Sequence, residues 1–218
     1  MARPTKQSPE RGDARIRLLE AARDIIRQKG FAATTVDDLC QSAGVTKGAF
    51  FHHFKSKEAL GIAAAEFWTE TTGALFAGAP YHEQDDPLNR VLAYLDFRRA
   101  IIGGETWEYT CLVGTMTQEV HQQAPAIRDA CADSMFSHAA TLEADISAAI
   151  QTRGIVTDWT AENLARHTQA VLQGGFILAK ASGDPNMARD SVDHLIRYIK
   201  LLFGQLETKL EQAREKDQ

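Results

Sequence analysis

Apolar residues near the start of the chain recur at three- and four-residue steps. Ile16, Leu19, Ala22 and Ile26 form a stripe, Leu18 and Ile25 widen it, and charged residues fill the opposite face. This spacing predicts an amphipathic helix from Asp13, closed by Gly30 as a C-terminal cap residue. Thr35 then precedes Val36-Asp37-Asp38, a capping-box-like start with Asp38 in the third position, and a short helix to Ser42 follows. In the tight turn Ala43-Gly44-Val45, Gly44 takes a left-handed backbone at little cost. Thr46 can cap a helix to about His52, and Ser56 can cap another from Lys57. Two short helices joined by a glycine-containing turn predict a helix-turn-helix.

Beyond Lys57 the pattern is a series of long helical segments with short breaks. One runs through Leu60, Phe67 and Trp68 to about Leu75, and FAGAPYHEQDD reads as a connector. Asp86-Pro87 opens the next, with proline at its first position, and this helix ends before Gly103-Gly104. GGETWEYT reads as a loop, followed by a helix holding Leu112, Met116 and Val120. Pro125 opens a long helix that Gly154 stops. Asp158 or Thr160 caps one to about Ala181, and a last helix runs from Pro185 to about Lys216. With no alternating strand pattern and no internal repeat, the expected fold is all-α. Residues 1–12, polar and carrying Pro4, Pro9 and Gly12, read as a flexible arm; 13–57 form the helix-turn-helix domain, and 58–218 a second, helical domain.

Charge sharpens this division. The 218 residues carry a net charge of -5, but residues 1–60 hold 11 Lys+Arg against 7 Asp+Glu, while the rest hold 13 against 22. A basic head on an acidic body suits one end that meets an anionic partner. Cys40, Cys111 and Cys131 are odd in number and lack a C-x-x-C spacing, which points to a reduced, cytoplasmic setting without a zinc or dithiol site. Nothing after the basic start resembles an export signal, and no apolar run approaches the roughly 18 residues a membrane span requires.

The most informative stretch is GVTKGAFFHHFKSKEAL, Gly44 to Leu60. Phe50 and Phe54 share a helical face and are expected to lock the helix onto Ile16, Leu19 and Leu39. Thr46, Lys47, Gly48, Ala49 and His52 then form the outward set at the front of the second helix, placed to touch base edges in a major groove. The helix starts at Thr35, Thr46 and Ser56 offer amides to phosphates, with Lys57 adding charge at one of them. A metal site on His52 and His53 is poor geometry, because successive residues point in different directions on a helix; no cofactor or metal is expected. A core segment with solvated lysines explains the phenylalanines but not three cap-quality residues in 22 positions.

GFAATTVDDLCQSAGVTKGAFFHHFKSKEAL, Gly30 to Leu60, resembles the N-terminal DNA-binding domain of the tetracycline-repressor (TetR) family of bacterial transcriptional regulators. The likeness covers about the first 60 residues without a gap. It implies phosphate contacts at Phe51, where the family usually has Tyr, and at His53 and Lys57; Phe51 lacks the hydroxyl for such a contact, although its ring can pack against sugar or helix. Cys40, replacing a commoner Ala, reads as a small core residue.

The resemblance further implies double-stranded operator DNA and a small-molecule effector as partners. It also implies a homodimer built on the last two helices, where Gly174-Gly175 permits close approach and Leu195, Ile199, Leu202 and Leu206 form a stripe. The same stripe could instead bury within one chain. An effector pocket is expected between the helix from Lys57 and those flanking Gly103 to Val120, with Phe67, Trp68, Phe97, Trp107, Tyr109, Met116 and Phe176 as candidate walls. TCLVGTMTQEV resembles a segment of family members that sense electrophiles or oxidants through a thiol, and a thiolate near a helix N-terminus is the more reactive form, which singles out Cys111. An enzyme built on Cys111 with His121 or His138 and Glu119 fails on distance, since Cys111 and His121 lie about 15 Å apart along one helix axis. The expected function is a ligand-released transcriptional repressor, with a thiol switch at Cys111 as the alternative, and no catalysis.

Overall fold

The structure, a computed structural model, describes residues 9–204. Among them the chain is all-helical: α1 (Pro9–Lys29), α2 (Val36–Ala43), α3 (Lys47–His53), α4 (Lys57–Ala77), α5 (Pro87–Ala100), α6 (Thr106–Tyr109), α7 (Leu112–Val120), α8 (Pro125–Arg153), α9 (Ala161–Ser182) and α10 (Asn186–Leu202), with a single 3-10 turn at Pro80–Glu83.

The starts follow cap chemistry. Thr35, Thr46 and Ser56 accept hydrogen bonds from the amides of Asp38, Ala49 and Ala59 at 3.1, 3.1 and 3.0 Å. Each such cap stabilises its helix by about 1 kcal/mol. Asp86 caps α5 through the Asn89 amide, and Thr160 caps α9 through that of Asn163. Between α2 and α3, Gly44 sits at φ 61, in the left-handed region, and its amide and that of Val45 satisfy the carbonyls that end α2. A side chain there would be strained.

Two compact units emerge, one of residues up to Gly78 with Gly104–His138, the other of Ala79–Gly103 with residues from Ala139 on. In the first, α1 to α4 share one core with α7 and the start of α8. Leu18, Leu19, Ile26, Leu39, Phe50 and Leu60 are all but inaccessible and join Leu112, Met116, Ile127 and Cys131. In the second, α5, α9 and α10 bury Tyr94, Leu95, Leu172, Phe176, Leu195 and Ile199, and ion pairs Arg90–Asp145 and Arg99–Asp193, both 2.6 Å, join α5 to α8 and to α10.

Several expectations change. α1 begins at Pro9 rather than Asp13, so only residues 1–8 of the predicted arm lie outside the described residues. GGETWEYT is not wholly a loop: Glu105 and Glu108 form a reciprocal capping box that nucleates the single turn of α6. The C-terminal helix is described only to Leu202, and Leu206 lies outside the described residues. Leu195 and Ile199 of the predicted dimer stripe turn inward and are buried within the chain. Gly175 faces the same way: a Cβ there would lie 3.2 Å from Ala188 Cα and Ser191 Cβ, whereas Gly174 meets nothing within 4 Å.

Candidate nucleic-acid interface

Phe50 and Phe54 anchor α3 from behind. Both are buried, their rings 5.8 Å apart, in a core with Leu19 and Leu39. Burying one such side chain contributes about 1.5–3 kcal/mol, enough to fix which face of this short helix looks out. Ile16 is not part of that anchor; it is 42% exposed, and the buried face of α1 runs through Leu18, Leu19, Ala22 and Ile26 instead.

The outward set is accordingly exposed. Thr46, Lys47, Gly48 and His52 lie on the surface, Ala49 and His53 are half-buried, and Phe51 is 56% exposed with its ring edge-on to Phe50 at 5.1 Å. An exposed ring of this kind suits apolar contact with a thymine methyl or a sugar. The His52 and His53 rings meet edge to face at 5.0 Å. Lys47 Nζ is paired with Asp37 Oδ1 of α2 at 2.7 Å, and that hydrogen bond raises its pKa. The pair is a solvent-exposed one, so a phosphate can compete for the lysine.

Two residues of the sequence-derived set are otherwise engaged. Thr35 donates its hydroxyl to Asp38 Oδ2 at 2.7 Å while accepting from the Asp38 amide, and its own amide donates to the same carboxylate at 2.8 Å. Lys29 adds a bond at 2.7 Å, and these donors together hold the Asp38 carboxyl well below the usual carboxylate range. Lys57 Nζ donates to the carbonyls of Phe31, Ala32 and Thr34 at 2.9, 3.3 and 2.9 Å. An ammonium has three N–H donors, and all three go to the α1–α2 turn. Desolvation there pushes its pKa down. Lys57 thus ties α4 to that turn in this state of the protein, and a phosphate would have to displace a carbonyl.

The candidate effector walls divide between the units. Phe67, Trp68, Trp107, Tyr109, Cys111 and Met116 belong to the first, Phe97 and Phe176 to the second. Met116 and Phe176 are buried; the other six are half-buried. The two grooves described within the units are lined by other residues. One, of about 460 Å³, is bounded by Phe31, Lys57, Glu119 and Ile127; the other, of about 490 Å³, runs along α9 and α10 by His167, Leu178, Met187 and Tyr198.

What gathers Trp68 and Trp107 is Arg27, a buried arginine the apolar stripe did not reveal. Its guanidinium lies 5.1 Å from the Trp68 ring and 5.7 Å from that of Trp107, donating to the Glu108 carbonyl at 3.0 Å and to Asp24 at 3.0 Å. Burial pushes its pKa down, while Asp24 and, less strongly, Cys111 push it back up. Cys111 is the N-cap of α7, its Sγ accepting the Gly114 amide at 3.4 Å. Cys131 is buried, which pushes its thiol up to about 11, and Cys40 is buried in the head's core as expected. Also unsignalled in the sequence are Arg17, whose Nη1 donates to the Ala43 carbonyl at 3.1 Å and pins the α2–α3 turn, and the part played by Glu119, named above only in the rejected enzyme arrangement, which accepts the Ala32 amide at 2.9 Å. Only their charge, on helices otherwise read for apolar periodicity, could have signalled them.

Comparison with known proteins agrees with this geometry. Residues 18–64 match the family model described as bacterial regulatory proteins, tetR family, and residues 87–195 match that of the tetracyclin repressor-like C-terminal domain. The transcriptional regulator TtgR of Pseudomonas putida is 32% identical over 108 residues, 49% of this chain and 50% of TtgR; the repressor NemR of Escherichia coli is 41% identical over 54 residues, 25% of this chain and 27% of NemR. The chain thus spans about half or less of the length of these curated relatives. Among solved structures, a TetR-family regulator from Agrobacterium tumefaciens superposes with a TM-score of 0.76 at 20% identity, covering 86% of this chain and 98% of that one. Reduced E. coli NemR gives 0.73 at 22%, covering 84% and 95%. CifR bearing two cysteine substitutions, in a structure with 26-bp operator DNA, gives 0.69 at 20%, covering 89% and 98%. At these identities the structures share the fold.

Proposed function

The chain belongs to the TetR family of DNA-binding bacterial transcriptional regulators, and within that family we propose that it is a cytoplasmic homodimeric repressor, released from a pseudo-palindromic operator by a small molecule. One observation carries the reading. A short helix is locked from behind by Phe50 and Phe54 and presents Thr46, Lys47, Gly48, Phe51 and His52 to solvent at its front. Such a helix reads base edges with its first turn and His52, while Lys47 adds charge beside the phosphates and His53 contacts backbone. The complex of CifR with operator DNA supports this use of the fold.

Two heads are needed to read a two-fold site, spaced by about one helical turn of DNA. Support for a dimer comes from the outer face of α9 and α10, where Ile177, Leu178, Met187, Tyr198 and Leu201 are each at least 38% exposed. An effector must then prefer the state with wrongly spaced heads, by about 1–3 kcal/mol. The test is selection of a duplex from a random-sequence library by the purified protein, followed by gel retardation across salt concentrations. A repeated, two-fold-related sequence bound with steep salt dependence supports the reading, and failure to enrich any sequence overturns it.

A second reading rests on Cys111. This half-buried residue caps α7 through its thiol, and the carbonyl of the preceding Thr110 accepts from the buried Arg27 of the reading head at 3.5 Å. We propose that alkylation of this thiol releases DNA, an arrangement for which the likeness to NemR offers support. Cys111→Ser should then bind the selected duplex normally yet ignore quinones and aldehydes. A serine variant that still responds to them removes the thiol from the mechanism.

A further inference from the structure

The turn between α1 and α2 is held in part by a side chain from outside the DNA-binding segment. From Gly30 to Thr34 the backbone exposes amides and carbonyls that no helix satisfies, and three side chains take them up. Thr34 Oγ1 donates to the Gly30 carbonyl at 2.6 Å, Lys57 of α4 takes the carbonyls of Phe31, Ala32 and Thr34, and Glu119 of α7 accepts the Ala32 amide at 2.9 Å. Glu119 also closes over Gly30. That residue sits at φ 90, and the Glu119 carboxylate fills the space a Cβ would need. Phe31 is buried, its ring packed with Ile127 of α8 over Gly61 of α4, where a Cβ would meet both.

The turn leads without a break into Thr35, the N-cap of α2, and α2 carries Asp37, which pairs with Lys47 at the front of α3. Whatever fixes the Ala32 amide therefore fixes the start of α2 and, through it, the helix that faces DNA. Residues 18–64 make up the matched DNA-binding segment, and Glu119 lies outside them, within the segment matched by the C-terminal family model.

We propose that Glu119 is a positioning residue for operator binding: its carboxylate seats the α1–α2 turn and so sets the attitude of α2 and α3, without touching DNA. The inference rests on the DNA-reading function above. It also gives the C-terminal domain a direct handle on the head, since a movement of α7 that withdraws the carboxylate frees the turn.

The probe is the duplex that the wild-type protein selects from a random-sequence library. Glu119→Ala should weaken binding about five-fold or more, a coupling of the size two linked sites show. The slope of log affinity against log salt should stay unchanged, because no phosphate contact is lost. Hydrogen exchange at the Ala32 amide should accelerate in the same variant. Glu119→Gln, whose amide oxygen still accepts the Ala32 N–H, should restore both readouts to near wild type. Glu119 is exposed, so the alanine variant keeps its core; if it nevertheless melts too early to assay, Glu119→Asp, one methylene short of the turn, takes its place. Wild-type affinity in the alanine variant, a glutamine variant as weak as alanine, or a reduced salt slope each overturns the positioning role while leaving the regulator reading intact. Selection of no duplex by the wild type removes both.

Discussion

Lys47 at the first position of α3 and Asp37 on α2 form an ion pair of 2.7 Å with both side chains more than half exposed. The acid thus sits beside the foremost cation of the reading helix, where it competes with a phosphate for the lysine and repels the duplex. Lys47→Ala should weaken binding across all sequences and lower the salt slope by about one. Asp37→Asn should do the reverse, tightening binding about two-fold or more with a steeper slope. Fluorescence anisotropy over a salt series measures both. Equal slopes for wild type and Lys47→Ala would mean that the lysine stays with Asp37 in the complex.

Lys57 poses the opposite case. The family resemblance implies a phosphate contact, whereas its ammonium donates to three carbonyls and lies 4.6 Å from the centre of the Phe31 ring. Its removal leaves those carbonyls to water and unties α4 from the turn. Lys57→Ala should lower the stability of the fold by about 1–2 kcal/mol, the value of charge-assisted bonds discounted for partial solvent access. The denaturation midpoint reports this loss. The salt slope of DNA binding should remain at the wild-type value; a drop of about one unit would show that the lysine leaves the turn for a phosphate.

These two lysines mark where the sequence was legible. The head's helices could be read because their signals are local: Thr35 with Asp38, Thr46, Gly44 and Ser56 each act within three or four residues of the backbone they satisfy. The orientation of α3 followed from the spacing of Phe50 and Phe54. What escaped were bonds across long stretches of chain. Arg27 meets the carbonyl of Glu108 81 residues away, and Glu119 meets Ala32 across 87. Periodicity treats both as solvated face residues, and nothing in one sequence pairs them with their partners. Leu195 and Ile199 failed differently: an apolar stripe records that a face is covered but not by which copy of the chain, and here α9 and α5 of the same chain cover it.

Asp38 gives the head an acid sensitivity. Three donors, led by Lys29 and followed by the Thr35 hydroxyl and amide, depress its folded-state pKa below the ordinary value of 3.8. A depressed carboxyl stabilises the fold fully above its unfolded pKa, and that contribution is lost as pH falls through the window below it. Stability should therefore hold down to about pH 5 and decline below about pH 4. Asp38→Asn should lose part of that decline, because a neutral amide takes up no proton. Thermal melts of both proteins between pH 3 and 7 measure the difference, and parallel curves would assign the acid response elsewhere.

Adjacent faces of α9 separate folding from assembly. Gly175 looks inward, with Ala188 Cα and Ser191 Cβ 3.2 Å from where its Cβ would stand, so Gly175→Val must push α10 away. Overpacking of this kind costs about 1–3 kcal/mol, read as a lower melting temperature. Leu178, three residues on, is 54% exposed and borders the groove along α9 and α10. Leu178→Glu leaves the intrachain packing alone, so its melting behaviour as an isolated chain should change little. If this face joins two copies, the same charge lies buried against its own twin across the two-fold axis, where like charges without partners are strongly unfavourable. The variant should sediment as a monomer, and its affinity for the two-fold duplex should fall by about a hundred-fold as the two heads lose their linkage. Affinity for a single half-site should be unchanged, since α3 is intact. A Leu178→Glu protein that stays dimeric would move the assembly surface off this face of α9.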